Sequence, residues 1–128
     1  SQNNQAGARK KPERVEGTLS CELPKILVKK NDIHITSKRN FDCFQDTELD
    51  MLLKRTLNVK NIIICGVNTD TCVYGTTFGA SNRGYNPIVI ECCTGSMRGE
   101  DQHQTALKIM SQSIAWVMKK EEILNKLN

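Results

Sequence analysis

The run that most constrains this chain is Asn61–Val73, reading Asn-Ile-Ile-Ile-Cys-Gly-Val-Asn-Thr-Asp-Thr-Cys-Val. Ile62, Ile63 and Ile64 are β-branched and apolar without alternation, the pattern of a strand covered on both faces, as in a parallel sheet. Gly66 breaks the run where the backbone must turn tightly. Asn68, Thr69 and Asp70 are all good N-cap types, so a helix is expected to start within them. Cys72 then falls in the first turn of a helix, just past the carboxyl end of a buried strand, where open α/β sheets build their sites. Amide N–H groups and the positive end of the helix dipole favour a thiolate there. Cys72 is the candidate nucleophile, set against the plainer reading of an inert first-turn cysteine.

The remaining periodicity extends the same pattern. Ile33–Thr36 alternates and reads as a first strand, ending at Ser37-Lys38. Thr47 caps a helix over Glu48–Leu57, with Leu49, Leu52, Leu53 and Leu57 at helical spacing. The helix that follows Cys72 holds Gly75 and Gly79 four apart, which calls for close packing against a strand or a partner backbone, and Gly84 suits its C-cap. Pro87–Ile90 is a third strand. An amphipathic helix over Asp101–Val117 turns Ala106, Leu107, Met110, Ile114 and Val117 inward, and a short helix over Glu121–Leu127 follows. Alternating strands and helices over short links predict an α/β fold with a parallel sheet. Three main strands are few for such a sheet, so the chain reads as an incomplete domain. Residues 1–24 are polar and aperiodic and are expected to be a tail or excursion; residues 25–128 are expected to form the C-terminal portion of a single domain.

Composition removes several function classes. The net charge of +4 on 128 residues comes with basic residues clustered only at Arg9, Lys10, Lys11 and Arg14, and only six residues are Phe, Tyr or Trp. Neither supports a nucleic-acid face. No apolar run approaches the length of a membrane span, roughly 20 residues. The six cysteines show no paired spacing and the two histidines no metal-ligand spacing, so reduced thiols in a cytoplasmic protein, without metal or cofactor, are expected.

Lys38, at the end of the first expected strand, and Cys72, after the second, would rise from the same sheet edge. An ammonium beside a thiol favours the thiolate and can move a proton. Taken alone, Lys38 also reads as a surface lysine. Lys38 with Phe41, Phe44, Thr47 and Leu49, then Gly66–Val73, then Gly84-Tyr85, resembles the isochorismatase-like cysteine hydrolases, nearest to the N-carbamoylsarcosine amidase and ureido- or biuret-hydrolase branch.

The resemblance implies a three-layer αβα fold and an Asp-Lys-Cys triad in which Cys72 attacks a small carbamoyl, ureido or amide carbonyl and Lys38 assists proton transfer. It also implies a non-proline cis peptide at Val67–Asn68, with the N–H groups of Asn68 and Cys72 as oxyanion hole. The triad Asp has no counterpart before Ile33, which predicts a fragment or cleaved remnant whose front half is lost or supplied by another chain bearing the missing N-terminal strands, a catalytically inactive binding or assembly subunit, or a sequence-distant segment that replaces the lost strand. Homo-oligomerisation is the other association expected. An acidic position of the family is Cys92 here, and Asp42 stands where small residues are common. Phe41, Phe44 and Tyr74 are candidates for the substrate pocket or for core. His103 reads as surface, Trp116 as core or an oligomer contact, and Cys92-Cys93 as a buried strand end plus a loop thiol, or as a vicinal redox pair.

Overall fold

A computed structural model describes residues 17–19 and 22–128. Most of the expected polar tail, with Cys21, lies outside the described residues. The chain divides into two units, Ser1–His34 and Ile35–Asn128. In the first, Lys25–Leu27 forms one 3-10 turn with Ile26 and Leu27 exposed, so the short apolar run Ile26–Val28 is not a core element. No described helix is long and apolar enough to cross a membrane.

The second unit is an α/β layer. Leu49–Met51 (α1) continues as a π turn, Leu52–Thr56. The N-cap is Glu48 rather than the expected Thr47, although Thr47 Oγ1 accepts from the Leu49 N–H at 3.3 Å. Strand β1 is Asn61–Val67, and a π turn over Thr69–Val73 leads into α2, Tyr74–Asn82. Strand β2 is Asn86–Gly95, α3 is Glu100–Ser113, β3 is Trp116–Met118 and α4 is Lys120–Leu127. The three strands are parallel in the order β1-β2-β3. Each connection is therefore a helical crossover.

The strand count matches the expectation, but one strand does not. Ile33–Thr36 is irregular, because alternation makes a strand only where a neighbour supplies a ladder. The third strand is Trp116–Met118 instead. Ile114 and Val117 do sit at helical spacing behind Met110, yet α3 stops at Ser113, and the N–H groups of Ile114 and Ala115 both bond Met110 O at 3.0 Å. Val117 is half-buried against the core from a strand, and Trp116 is exposed on it.

The core gathers Phe44, Ile64, Val73, Ala80, Tyr85, Val89, Ala106, Leu107 and Met110. Successive strand residues face opposite sides. Val89 belongs to this cluster while Ile90, equally buried, lies outside it, as does Ile123 of α4, which packs on β2. Helices thus cover both faces of β2. The glycine pair of α2 has a more local partner than a strand or another chain: the loop Phe41–Asp42. A Cβ on Gly75 would stand 3.4 Å from the Phe41 backbone, and one on Gly79 would collide with the Asp42 carboxylate. Asp42 is a structural residue. It accepts from the Phe44 N–H at 2.8 Å and from Arg83 Nη1 at 3.2 Å.

Candidate active site

The carboxyl end of β1 and the turn after it are built by local backbone demands. Gly66 has φ +127°, the region that favours glycine, and the second peptide bond after it, Val67–Asn68, is cis. Asn68 is extended (φ −90°, ψ 143°) and is the N-cap. Its carbonyl accepts from the N–H groups of both Thr71 and Val73 at 3.1 Å, which winds the following turn as a π turn. Such turns inside helices are frequent at functional positions. Cys72, a half-buried free thiol, is the fourth residue of that turn.

Two elements hold this turn. The first is the loop after β2. Asn68 Oδ1 accepts from the Met97 N–H at 3.0 Å, so the Asn68 side chain ties the loop down rather than capping its own helix. Asp70 Oδ1 accepts from Ser96 Oγ at 2.7 Å, and Arg98 Nη1 reaches both Asp70 Oδ2 (2.5 Å) and Thr71 Oγ1 (2.7 Å). Burial alone would raise the Asp70 carboxyl, but the Ser96 and Arg98 hydrogen bonds outweigh it and hold the group below its ordinary value. The second element is α3. His103 Nδ1 and Thr69 Oγ1 share a hydrogen bond of 2.7 Å, and both residues are buried. His103 is therefore not the surface residue expected. It precedes Ala106 and Leu107 by three and four positions, so it lies on the same inward stripe, a signal present in the sequence.

Lys38 lies on the irregular segment that replaces the expected strand, half-buried. Its neighbours fix the backbone: Ser37 Oγ donates to Glu48 Oε2 at 2.5 Å, and Arg39 Nη1 donates to Thr36 O (2.8 Å) and Lys38 O (3.1 Å). The Ser37 hydrogen bond also lowers the Glu48 carboxyl. Three residues further, the loop docks on the Cys72 helix. The Cys43 N–H donates to Thr76 Oγ1 at 3.1 Å, and that hydroxyl lies within bonding distance of Phe41 O (3.3 Å) and Cys43 Sγ (3.1 Å). This contact falls one helical turn after Cys72, so the two candidate segments are neighbours.

The aromatic candidates separate. Phe44 is a core residue and not a pocket wall: it is 4% exposed, stacks on Tyr85 at 5.5 Å and carries the Arg83 guanidinium on its ring at 5.0 Å. Tyr85 in turn donates to Asp50 Oδ1 at 2.8 Å, and burial together with that bond pushes its phenol up to about 12. Phe41 is exposed. Tyr74, half-buried, packs against the core and stacks on Phe78 at 6.4 Å. Cys92 and Cys93 are both exposed, so neither is a buried strand end. No group of three or more His, Cys, Asp or Glu among the described residues could hold a metal ion. An open cavity of about 340 Å³, lined by Tyr85, Asn86 and Trp116 among others, lies at the amino ends of β2 and β3, away from Cys72.

A parallel α/β layer with a cysteine on the turn after its first strand defines a class, and the comparisons give its family. The Isochorismatase domain model matches residues 1–122, and the chain belongs to that family. It is similar to the uncharacterized isochorismatase family protein YecD of Escherichia coli O157:H7, at 33% identity over 97 residues, covering 76% of this chain and 50% of that protein. Among solved structures, an isochorismatase-like hydrolase from Alkaliphilus metalliredigens aligns with TM-score 0.82 at 27% identity, covering 90% of this chain and 63% of that one. The nicotinamidase of Staphylococcus aureus aligns with TM-score 0.60 at 35% identity, covering 64% of this chain and 50% of that one. The chain spans about half the length of the relatives it matches in sequence.

Proposed function

We propose that this chain carries the nucleophile of a cysteine amidohydrolase acting on a small amide, carbamoyl or ureido compound. Cys72 Sγ adds to the substrate carbonyl, the C–N bond breaks with the nitrogen leaving protonated, and water then hydrolyses the thioester. Lys38 supports the thiolate and moves the proton, while the N–H groups of Asn68 and Cys72 receive the oxyanion. Phe41 and Tyr74 border the substrate.

The observation that carries this reading is the position of Cys72, a half-buried free thiol on the turn that follows the carboxyl end of β1, in a chain of the isochorismatase family. Nicotinamidases among the structural neighbours support a small amide; the motif's resemblance to the N-carbamoylsarcosine amidase branch supports the carbamoyl and ureido range. The acidic member of the triad is assigned to strands on the open side of β1, from the part of the relatives' length that this chain does not span. Activity in a cytoplasmic, reducing setting belongs to the same proposal, and so does association with a second copy or a chain bearing those strands.

The test is nitrogen release from a panel of amides and ureides by the complete domain. Cys72→Ala is expected to abolish turnover, and a substrate-derived mass should accumulate on the peptide holding Cys72. Undiminished turnover in Cys72→Ala would overturn the proposal.

A further inference from the structure

We propose that Cys65 and Cys93 form a redox-responsive dithiol that a peroxide closes into a disulfide across β1 and β2. The strand register makes the pair. Ile64 pairs with Val89, but Gly66 pairs with Thr94, so one residue of β1, Cys65, faces the four residues Ile90 to Cys93 of β2. Thr94 Oγ1 folds back onto Glu91 O at 3.0 Å and Ile90 O at 3.4 Å, which holds the irregularity in place. Cys65 and Cys93 are each one residue ahead of the Gly66–Thr94 pair, on adjacent strands. Neighbouring strands run about 4.8 Å apart, inside the Cα separation a disulfide spans, roughly 4.4–6.8 Å.

Partial burial pushes the Cys65 thiol up, and the neighbouring Cys93 thiol adds more to that than Cys92 does. Both residues are exposed and both thiols are free. The pair that the register sets across the two strands is therefore Cys65–Cys93 rather than the vicinal Cys92–Cys93.

The chemistry balances with hydrogen peroxide as oxidant. The Cys93 thiolate attacks one peroxide oxygen, an S–O bond forms, the O–O bond breaks and the departing hydroxide becomes water. Cys65 sulfur then attacks Cys93 sulfur, the S–S bond forms, the S–O bond breaks, and the Cys65 proton leaves with the hydroxide as a second water. Both sulfurs are oxidised and the peroxide is reduced. The link encloses Gly66 to Cys92, hence the cis peptide, Cys72 and all of α2, in one covalent loop, which restricts the unfolded chain. It needs no activity at Cys72, so it stands apart from the hydrolase reading.

The test treats the reduced full chain with equimolar hydrogen peroxide, blocks remaining thiols with N-ethylmaleimide and digests with trypsin without reductant. Cleavage after Lys60, Arg83 and Arg98 isolates one peptide with Cys65 and Cys72 and another with Cys92 and Cys93. The expected product joins the two, with fragmentation placing the bond at Cys65–Cys93. It is lost in Cys65→Ser and Cys93→Ser, is retained in Cys92→Ser, and the oxidised chain melts higher until dithiothreitol is added. A Cys92–Cys93 bond, a bond to Cys72, or no disulfide in the wild-type chain overturns the proposal, and the wild-type map decides this even if a variant does not fold.

Discussion

Strands β1 and β2 carry the same kind of sequence, Ile62–Ile64 and Ile88–Ile90, and occupy different environments. Val89 is fully buried, with α2 and α3 over its face and α4 on the other. Ile63 is 45% exposed and Val67 is 56% exposed, and β1 ends the strand order on one side. An apolar run without alternation encodes cover on both faces, and only one of the two strands has it among the described residues. The strand with the open side is also the one that ends at the cis peptide and presents Cys72. The sheet is therefore firmest where it supports the candidate site from behind and least covered where the site opens.

The largest expected effect tests that asymmetry directly. Val89→Asp places an uncompensated charge in the core and should cost about 3–5 kcal/mol, a large fraction of an ordinary domain's stability. Ile63→Asp should change stability by less than about 1 kcal/mol. Urea melts of both variants check the pair, and equal damage would show that the outer side of β1 is covered. Next is the Thr69–His103 bond, where the enclosed side grips the Cys72 turn. His103→Ala leaves the buried Thr69 hydroxyl without its partner and should cost about 1–3 kcal/mol by the same melts.

The smallest effect is on the solvent side of that turn. Arg98 is largely exposed, so Arg98→Ala should cost no more than about 1 kcal/mol at neutral pH. Asp70 is held below its ordinary value. It therefore contributes stability above the unfolded-state pKa, near 3.9, and that contribution fades as pH falls below it. The gap between wild type and Arg98→Ala should close as pH is lowered through that range, and acid titration of both unfolding midpoints measures it.

Much of this organisation was legible from local signals. The buried run before Gly66, the cap residues ahead of Cys72, the apolar stripe of α3 and the Gly84 terminus each depend on neighbours a few positions away. What was not legible depends on distant partners. Ile33–Thr36 has strand alternation but no ladder to join, while Trp116–Met118 is too short to show a period and borrows helical spacing from α3. The latch from Ser96 and Arg98 closes on residues 26 to 28 positions earlier. Asp42, which stands where small residues are common, fits against a glycine on a helix that follows it by more than thirty residues.

That last contact also limits how the sequence can drift. Gly79 has no room for even a methyl group because the Asp42 carboxylate fills the space, held by the Phe44 N–H and by Arg83. The two positions are thus coupled by packing. Enlarging residue 79 requires shortening residue 42, and Arg83 then loses its counter-ion while keeping its place on the Phe44 ring and its bond to Gly79 O.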